Sequence, residues 1–286
     1  MSSDSAAVPD PPRLLRDWQY YLREQLRIVS DQPEQEARWL LAAALGRDTA
    51  ALVRDGLTPI SSGERARIAS LLAHRRAGVP LAYCLGEWSF YGMALQVAPD
   101  VLIPRPDTEV LVTCTLEGLP ERARVLDLGT GSGAIALAIA VARPHAEIWA
   151  VERSPAALRI ARMNGVTRAP QVSWLQGDWY APLDADLRFD RIVANPPYLR
   201  EDDSHLPDLR HEPREALVAG PSGLECLGHI IAGASSHLLP QGVLLLEHGA
   251  DQGAAVRTLF DGAGFSAVQT RHDLAGRARV TLGVGA

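Results

Sequence analysis

Between Arg13 and about Gly78, apolar residues recur every three or four positions, the spacing that lines one face of a helix. Leu14, Trp18, Tyr21, Leu22 and Leu26 form a first set. Trp39, Leu40, Ala43, Ala44 and Leu45 form a second, and Ile68, Leu71 and Leu72 a third. Gly46, Pro59 and Gly78 punctuate them, so the pattern predicts a bundle of about four or five short helices. Residues 1–12, polar and proline-bearing, read as a disordered leader. From Pro80 the pattern changes. The stretch YCLGEWSFYGMALQVAPDVLIPRP is rich in aromatic and branched residues, with Gly86 and Gly92 at candidate turns, and most of it predicts a β-hairpin. Asp107-Thr108 can then cap a helix running to about Gly118.

From Ala123 onward, β-type and helix-type patterns alternate. Strands are expected at Val125–Leu128, Glu147–Glu152, Val172–Gln176, Arg191–Ala194 and Gly242–Glu247. Helices are expected at Gly133–Ala142, Pro155–Asn164, Leu224–Leu239 and Asp251–Gly262. Alternation of this kind means a mostly parallel sheet with helices on both faces. Two final strands, near Phe265–Thr270 and Ala278–Leu282, are separated by too short a loop for a crossover, so they should pair antiparallel. The expected division is therefore a leader (1–12), a helical domain (13–79), a hairpin linker (80–104) and an α/β domain (105–286).

Composition narrows the function. The chain has 286 residues, 47% of them hydrophobic and 22% charged, as in an ordinary globular protein. Its formal net charge of −6 argues against binding long nucleic acid by phosphate neutralisation alone. All 28 basic residues are arginine, but they are scattered and mark no phosphate site. Cys84, Cys114 and Cys226 have neither metal-ligand nor disulfide spacing and read as small buried hydrophobes in a reducing compartment. No metal site is expected. With no bilayer-length apolar run and no signal-peptide pattern, the expectation is a cytoplasmic protein that meets no membrane.

The chemistry starts at VLDLGTGSGAIALAIA. Gly129, Gly131 and Gly133 follow a strand and open a helix, where glycines permit a tight turn and close approach of a ligand to the backbone. A loop that merely needs positive φ would look the same. The next strand, however, ends in Glu152, placed to accept hydrogen bonds from ribose hydroxyls. The spacing G-x-G-x-G, with Asp127 just ahead and Thr130 inside it, differs from the dinucleotide fingerprint. It suits a nucleoside bearing a charged amino-acid tail, S-adenosylmethionine. In LQGDWY, Asp178 can accept the adenine amino proton and Trp179 can pack on a ring, although a turn residue and a core residue are the plain alternatives.

VANPPYL ends the fourth strand of this domain. If Val125–Leu128 is the first strand, the fourth is its neighbour and Asn195 stands beside the cofactor's methyl group. Two prolines fix φ and remove competing N–H groups, so the Asn195 side chain and the Asn195 and Pro196 carbonyls can be aimed at a ligand. Two acceptors and the Tyr198 ring make a clamp for a planar group carrying NH₂. The plain alternative is a proline-rich turn.

Taken together, DLGTGSG and NPPY resemble S-adenosylmethionine-dependent methyltransferases acting on amino groups. Four more stretches are similar to the PrmC (HemK) family: PLAYCLGEWSFYGMALQVAPDVLIPRPDTEVLV, HEPREALVAGPSGL, LLLEHG and RARVTLG. The resemblance implies a seven-stranded Rossmann-like methyltransferase sheet with an N-terminal helical bundle that helps hold the substrate. It also implies methylation of the side-chain amide nitrogen N5 of the glutamine in the Gly-Gly-Gln motif of class 1 peptide chain release factors. By this resemblance Asn195 and Pro196 bind the glutamine amide, and Pro197 and Tyr198 shape its slot. The cofactor set is Asp127, Gly129, Thr130, Gly131, Gly133, Glu152, Asp178, Trp179 and Asn195. Arg105, Pro106 and Thr108 are expected to cover the cofactor, with an ion pair from Arg105 to Glu109 or Asp107 as the structural alternative. Arg214, Glu215, Glu247 and His248 are expected to buttress the NPPY loop, with the end of a core strand as the plain alternative for Glu247 and His248. Glu152 stands where an aspartate is common in the family, which lengthens the reach to the ribose.

A monomer without direct nucleic-acid contact is expected. The rival readings are an adenine-N6 methyltransferase acting on DNA or RNA, a non-catalytic adaptor on the same scaffold, and a nicotinamide-dependent oxidoreductase. The first lacks a basic and aromatic target-recognition insertion. The second leaves the intact NPPY and glycine turn without a purpose. The third lacks the dinucleotide spacing.

Overall fold

The structure is a computed structural model that describes residues 12–285, so the leader expected over 1–12 lies, except for Pro12, outside the described residues. The chain divides into two compact units, Met1–Gly86 and Glu87–Ala286.

The first unit is helical. Helix α1 (Leu15–Leu26) buries Leu15, Trp18, Leu22 and Leu26, a single stripe at helical spacing. Helix α2 (Pro33–Leu45) opens on a proline, which needs no donor there, and closes at Gly46 with φ +62°. The Asp48 carboxylate caps α3 (Thr49–Arg54), and a reciprocal Ser61–Glu64 capping box starts α4 (Ser62–Arg76). Their apolar stripes form a core of their own around Trp18, Leu22, Leu40, Leu41 and Ile68. Helix α5 (Leu81–Leu85) lies where the hairpin was expected to begin. Pro80 at its N-cap and Gly86 at φ +77° bound it, which is why one helical turn forms in an otherwise β-like stretch.

The second unit opens with the hairpin β1 (Glu87–Phe90) and β2 (Met93–Gln96), shorter than the expected 80–104. Pro106–Thr108 is a single 3₁₀ turn leading into α6 (Glu109–Leu116). Neither Asp107 nor Thr108 caps this helix, contrary to expectation, because both side chains turn to tertiary partners. The alternation then runs β3 (Arg124–Leu128), α7 (Ala134–Ala142), β4 (Glu147–Glu152), α8 (Pro155–Gly165), β5 (Ser173–Gln176) and β6 (Phe189–Ala194). Two short strands not expected from the sequence follow, β7 (Leu199–Arg200) and β8 (Val218–Gly220), which pair in parallel. Helix α9 (Glu225–Ala234), β9 (Leu238–Glu247), α10 (Gly253–Gly262), β10 (Ser266–His272) and β11 (Ala278–Val284) complete the unit.

Helix α9 stops at Ala234 rather than the expected Leu239. Pro240 cannot continue a helix, and Gly242 lies so close to the Phe189 carbonyl that a Cβ there would sit 2.9 Å from it. Leu238 and Leu239 therefore join β9, beside a register shift against β6.

The main sheet has seven strands in the order β10-β11-β9-β6-β3-β4-β5. Strand β11 runs antiparallel to both its neighbours, and the other pairings are parallel. Side chains alternate between faces along each strand. Val125 of β3 joins Val193, Leu245 and the inward faces of α6 and α7. Leu126 and Leu128 join Ile192, Leu244 and residues of α9 and α10.

The start of α7 shows how closely this packing fits. Gly133 adopts φ +84°, and a Cβ there would lie 3.0 Å from the Trp174 ring and 3.3 Å from Ala161. Gly133→Ala should therefore cost about 1–3 kcal/mol, combining left-handed strain with overpacking. Urea unfolding monitored by circular dichroism would read this as a lowered midpoint at unchanged slope.

Candidate active site

From β3 the chain winds outward through β4 to β5, then returns to β6 on the other side of β3 and continues to β9. Ligands of open parallel sheets bind beyond the carboxyl ends of the strands at such a reversal. A cleft of about 370 Å³ lies there, within the ~300–1,000 Å³ common for small-molecule sites.

One wall is the glycine turn. The Gly129 and Thr130 amides both donate to the Val151 carbonyl, at 2.9 and 3.0 Å, tying the turn to β4. The Gly131 amide donates to Glu152 Oε2 at 2.9 Å, and the Ser154 amide to Oε1 at 2.8 Å. Gly129 has φ +71°, and a Cβ there would meet the Trp179 ring at 3.4 Å. Gly129, Thr130, Gly131, Glu152, Asp178 and Trp179 all line the cleft.

Asp127 and Gly133 do not line it. Asp127 is fully buried beneath the turn, where Oδ2 accepts from the Thr130 hydroxyl at 2.5 Å and the Ala136 amide at 3.2 Å. Its Oδ1 is buried without a partner. Burial pushes the carboxyl up to about 7, against the two hydrogen bonds that favour the charged form. Gly133 serves helix packing, as described above.

The opposite wall follows β6. Ala194 pairs with Leu128 on one side and Leu246 on the other, so Asn195 emerges beside the glycine turn. Asn195 and Pro197 line the cleft, whereas Pro196 is buried and does not. The Asn195 side chain donates from Nδ2 to Thr108 Oγ1 at 3.2 Å. Tyr198 is half-buried outside the cleft lining, and burial pushes its hydroxyl up to about 12. Its carbonyl accepts from Gln252 Nε2 at 2.9 Å, while Gln252 Oε1 accepts from the Gly249 amide at 2.8 Å. Immediately beyond it, the Leu199 amide donates to the Leu217 carbonyl at 2.9 Å, opening the β7–β8 pairing. Arg214 reaches the Glu201 carbonyl at 3.5 Å, and Glu215 pairs with Arg153 at 3.5 Å.

The PRPDT segment closes the side of the cleft with Arg105 and Thr108, while Pro106 is exposed and lines nothing. Arg105 pairs with neither Glu109 nor Asp107. Its partner is the buried Glu212, which also accepts from the Ile103 amide at 3.1 Å. Glu109 accepts from the Tyr91 amide at 2.8 Å, and Asp107 pairs with Arg279 at 2.9 Å. Glu247 is 1% exposed at the end of β9 with Oε2 buried without a partner, and burial pushes its carboxyl up to about 7, partly offset by the charge of Arg279. Burial lowers the pKa of His248, whose Nε2 lies 2.8 Å from Thr281 Oγ1.

Sequence reasoning missed Glu212 and Gln252, and also Val218 and Ala219, which line the cleft from β8. HEPREAL was singled out, but its first glutamate carries the contact across more than a hundred residues of chain, where no local pattern points. Among the described residues no cluster of His, Cys, Asp and Glu could hold a metal ion, and no helix is long and apolar enough to cross a membrane.

Two family models match the chain: the PrmC N-terminal domain over residues 13–86 and the methyltransferase small domain over residues 106–217. A Burkholderia pseudomallei protein named release factor glutamine methyltransferase is 48% identical over 258 residues, covering 87% of this chain and 90% of the relative. A Salmonella typhimurium protein of the same name is 45% identical over 273 residues, covering 93% and 98%. Among solved structures, a T. thermophilus 16S rRNA methyltransferase in complex with AdoMet and guanosine aligns with TM-score 0.54 at 23% identity, over 70% of this chain and 50% of that one. A methyltransferase from Pyrococcus furiosus aligns with TM-score 0.53 at 19% identity, over 79% and 100%. The two solved structures share the fold.

The raised Glu247 carboxyl has a measurable consequence. Its pKa rises from 4.5 to about 7 on folding, so across that window the folded chain keeps a proton that the unfolded chain releases. Its contribution to stability is therefore lost as pH rises. In thermal unfolding without added ligand, the melting temperature of Glu247→Gln minus that of wild type should increase from about pH 5 to pH 8. A pH-independent difference would mean that Glu247 is not protonated by burial.

Proposed function

The chain belongs to the release factor glutamine methyltransferase family, and we infer from its site how it moves a methyl group from S-adenosylmethionine to the side-chain amide nitrogen of a release factor glutamine. The residues present fit that cofactor. The glycine turn, with Gly129 at φ +71°, presents backbone to the cleft, and a carboxylate stands at the end of the next strand. When bound, S-adenosylmethionine supplies a methyl group already activated by its sulfonium.

Of the residues lining the cleft, Glu152 would accept from the ribose hydroxyls, and Asp178 and Trp179 would hold the adenine end. Gly129, Thr130 and Gly131 bound the methionine end, with Asp127 fixing the turn from beneath through Thr130. Arg105 and Thr108 close the side of the cleft.

An amide nitrogen is a poor nucleophile because its lone pair is delocalised into the carbonyl. Asn195 Oδ1 and the Pro196 carbonyl accept its two N–H bonds, which directs the lone pair toward the methyl group. Pro197 and Tyr198 shape the slot around the planar amide. Such positioning is worth up to ~7–11 kcal/mol where both reactants are held in near-attack geometry. The observation that carries this reading is that Asn195, the glycine turn and Glu152 line one cleft.

The acceptor is the glutamine of the Gly-Gly-Gln motif of a class 1 release factor, docked by the helical domain 13–79. The hairpin region links that domain to the methyltransferase domain. The chain acts as a cytoplasmic monomer without contacting nucleic acid itself, in keeping with its net charge of −6.

Radiolabelled S-adenosylmethionine should mark a wild-type release factor, but neither its Gly-Gly-Gln→Gly-Gly-Ala variant nor adenine-containing DNA or RNA. Label on nucleic acid, or on the alanine variant, would overturn the assignment. Asn195→Ala should abolish transfer while cofactor affinity, measured by calorimetry, stays within about fivefold. Glu152→Ala should instead weaken cofactor binding by roughly 10- to 100-fold, as expected for loss of charge-assisted hydrogen bonds.

A further inference from the structure

After NPPY the chain leaves the main sheet, and by Gly223 it has come back beside the same loop. At the neck of this excursion Leu199 pairs with Val218 and Arg200 with Gly220, with a register shift between them. Strand β8 sets Val218 and Ala219 into the wall of the cleft. A two-stranded pairing this short is marginal by itself. One side chain from another part of the fold closes the neck.

Gln252 stands at the N-cap of α10, and its side chain does not cap that helix. Its Nε2 donates instead to the Tyr198 carbonyl at 2.9 Å and to the Gly223 carbonyl at 3.2 Å. Its Oε1 accepts from the Gly249 amide at 2.8 Å. These partners fix which way the side-chain amide points. A backbone N–H only donates and a backbone carbonyl only accepts, so a flipped amide would face each of them with the wrong group.

The surrounding backbone is fitted to this side chain. Gly223 has φ +78°, and a Cβ there would lie 2.7 Å from the Tyr198 carbonyl oxygen and 2.9 Å from Gln252 Nε2. Only glycine allows both that conformation and that approach. On the other side, Gly249 is braced against the sheet. The buried His248 donates from Nδ1 to the Gly249 carbonyl at 2.8 Å, and its Nε2 lies 2.8 Å from Thr281 Oγ1 of β11.

The Tyr198–Leu199 peptide is therefore held at both polar groups. Gln252 binds its carbonyl, and its amide donates to the Leu217 carbonyl at 2.9 Å. The two prolines of NPPY fix only their own φ. The setting of Tyr198 comes from this peptide.

We propose that Gln252 is a positioning residue for methyl transfer, whose side-chain amide clasps the Tyr198 and Gly223 carbonyls and so fixes the substrate slot against the cleft wall formed by β8. This rests on the reading of NPPY as the slot for the acceptor amide. Gln252 does not line the cleft, and it acts through the backbone of Tyr198.

The test uses the full chain with a release factor as methyl acceptor. It measures kcat/KM for the release factor, the calorimetric Kd for S-adenosylmethionine, and amide hydrogen exchange by NMR. Gln252→Glu keeps the size and the acceptor for Gly249 but turns a carboxylate oxygen toward two carbonyls. It should lower kcat/KM roughly 10- to 100-fold, the size expected when buried carbonyls lose their donor, with the cofactor Kd within about threefold. Gln252→Met, which keeps the bulk and has no N–H to donate, should show a loss of the same kind. The Leu199 and Glu201 amides, bonded to the Leu217 and Gly220 carbonyls, should exchange at least about tenfold faster in Gln252→Glu, while those of β3 keep the wild-type rate. A residue that only stabilised the fold would speed exchange in β3 as well. Wild-type kcat/KM in Gln252→Glu, a cofactor Kd that weakens in step with kcat/KM, or faster exchange shared by β3 would each overturn the proposal. If Gln252→Glu does not fold, Gln252→Met decides it by the same readings. With wild type active and Asn195→Ala inactive these results bear on Gln252 alone, whereas an active Asn195→Ala would overturn the slot itself.

Discussion

The hydrogen-bonded register of three parallel strands, β3, β6 and β9, is the constraint on which the site depends. Leu128 pairs with Ala194, and Ala194 with Leu246. Gly129, Asn195 and Glu247 therefore leave the sheet side by side, although 118 residues of chain separate the first from the last. A slip of one residue would exchange the faces of a strand. In β3 it would carry Asp127 away from the Ala136 amide and the turn it secures. In β6 it would bury Asn195 or push it past the level of the glycine turn.

Buried carboxylates extend that order into the loops. Asp127 holds the glycine turn, and Glu212 holds Ile103 and Arg105. Burying such groups costs free energy unless hydrogen bonds or opposite charges compensate. Asp127 and Glu247 are compensated only in part, since burial still raises both carboxyls to about 7. They add little to stability in their charged forms. What Asp127 and Glu212 provide is geometry, because each ties an irregular segment to the rim of the sheet.

Much of the fold was legible in the chain. The apolar sets at helical spacing, Leu14 to Leu26 and Trp39 to Leu45, fall on α1 and the second half of α2, and the strand–helix alternation after Ala123 found each strand of the main sheet to within two or three residues, β9 excepted. The misses have common physical causes. Leu238 and Leu239 fit a helical stripe and a strand equally well, and the close approach of Gly242 to Phe189 decided between them. The β-like stretch after Pro80 begins with a helical turn because a proline and a left-handed glycine bound it. Strands β7 and β8 are too short to show a period and exist only as partners of each other.

The site divides in the same way. The sequence by itself determined the chemical types and their order: a glycine turn after a strand, an acid at the end of the next, and an asparagine fixed by two prolines. These are local properties, since φ freedom, φ restriction and side-chain chemistry belong to a residue and its immediate neighbours. The tertiary structure alone decided the partners. Arg105 chose Glu212 over the nearer Glu109 and Asp107, and Thr108 took Asn195 in place of its own helix end. Such choices depend on which buried groups lie within about 3 Å after folding, and separation along the chain carries no information about that distance.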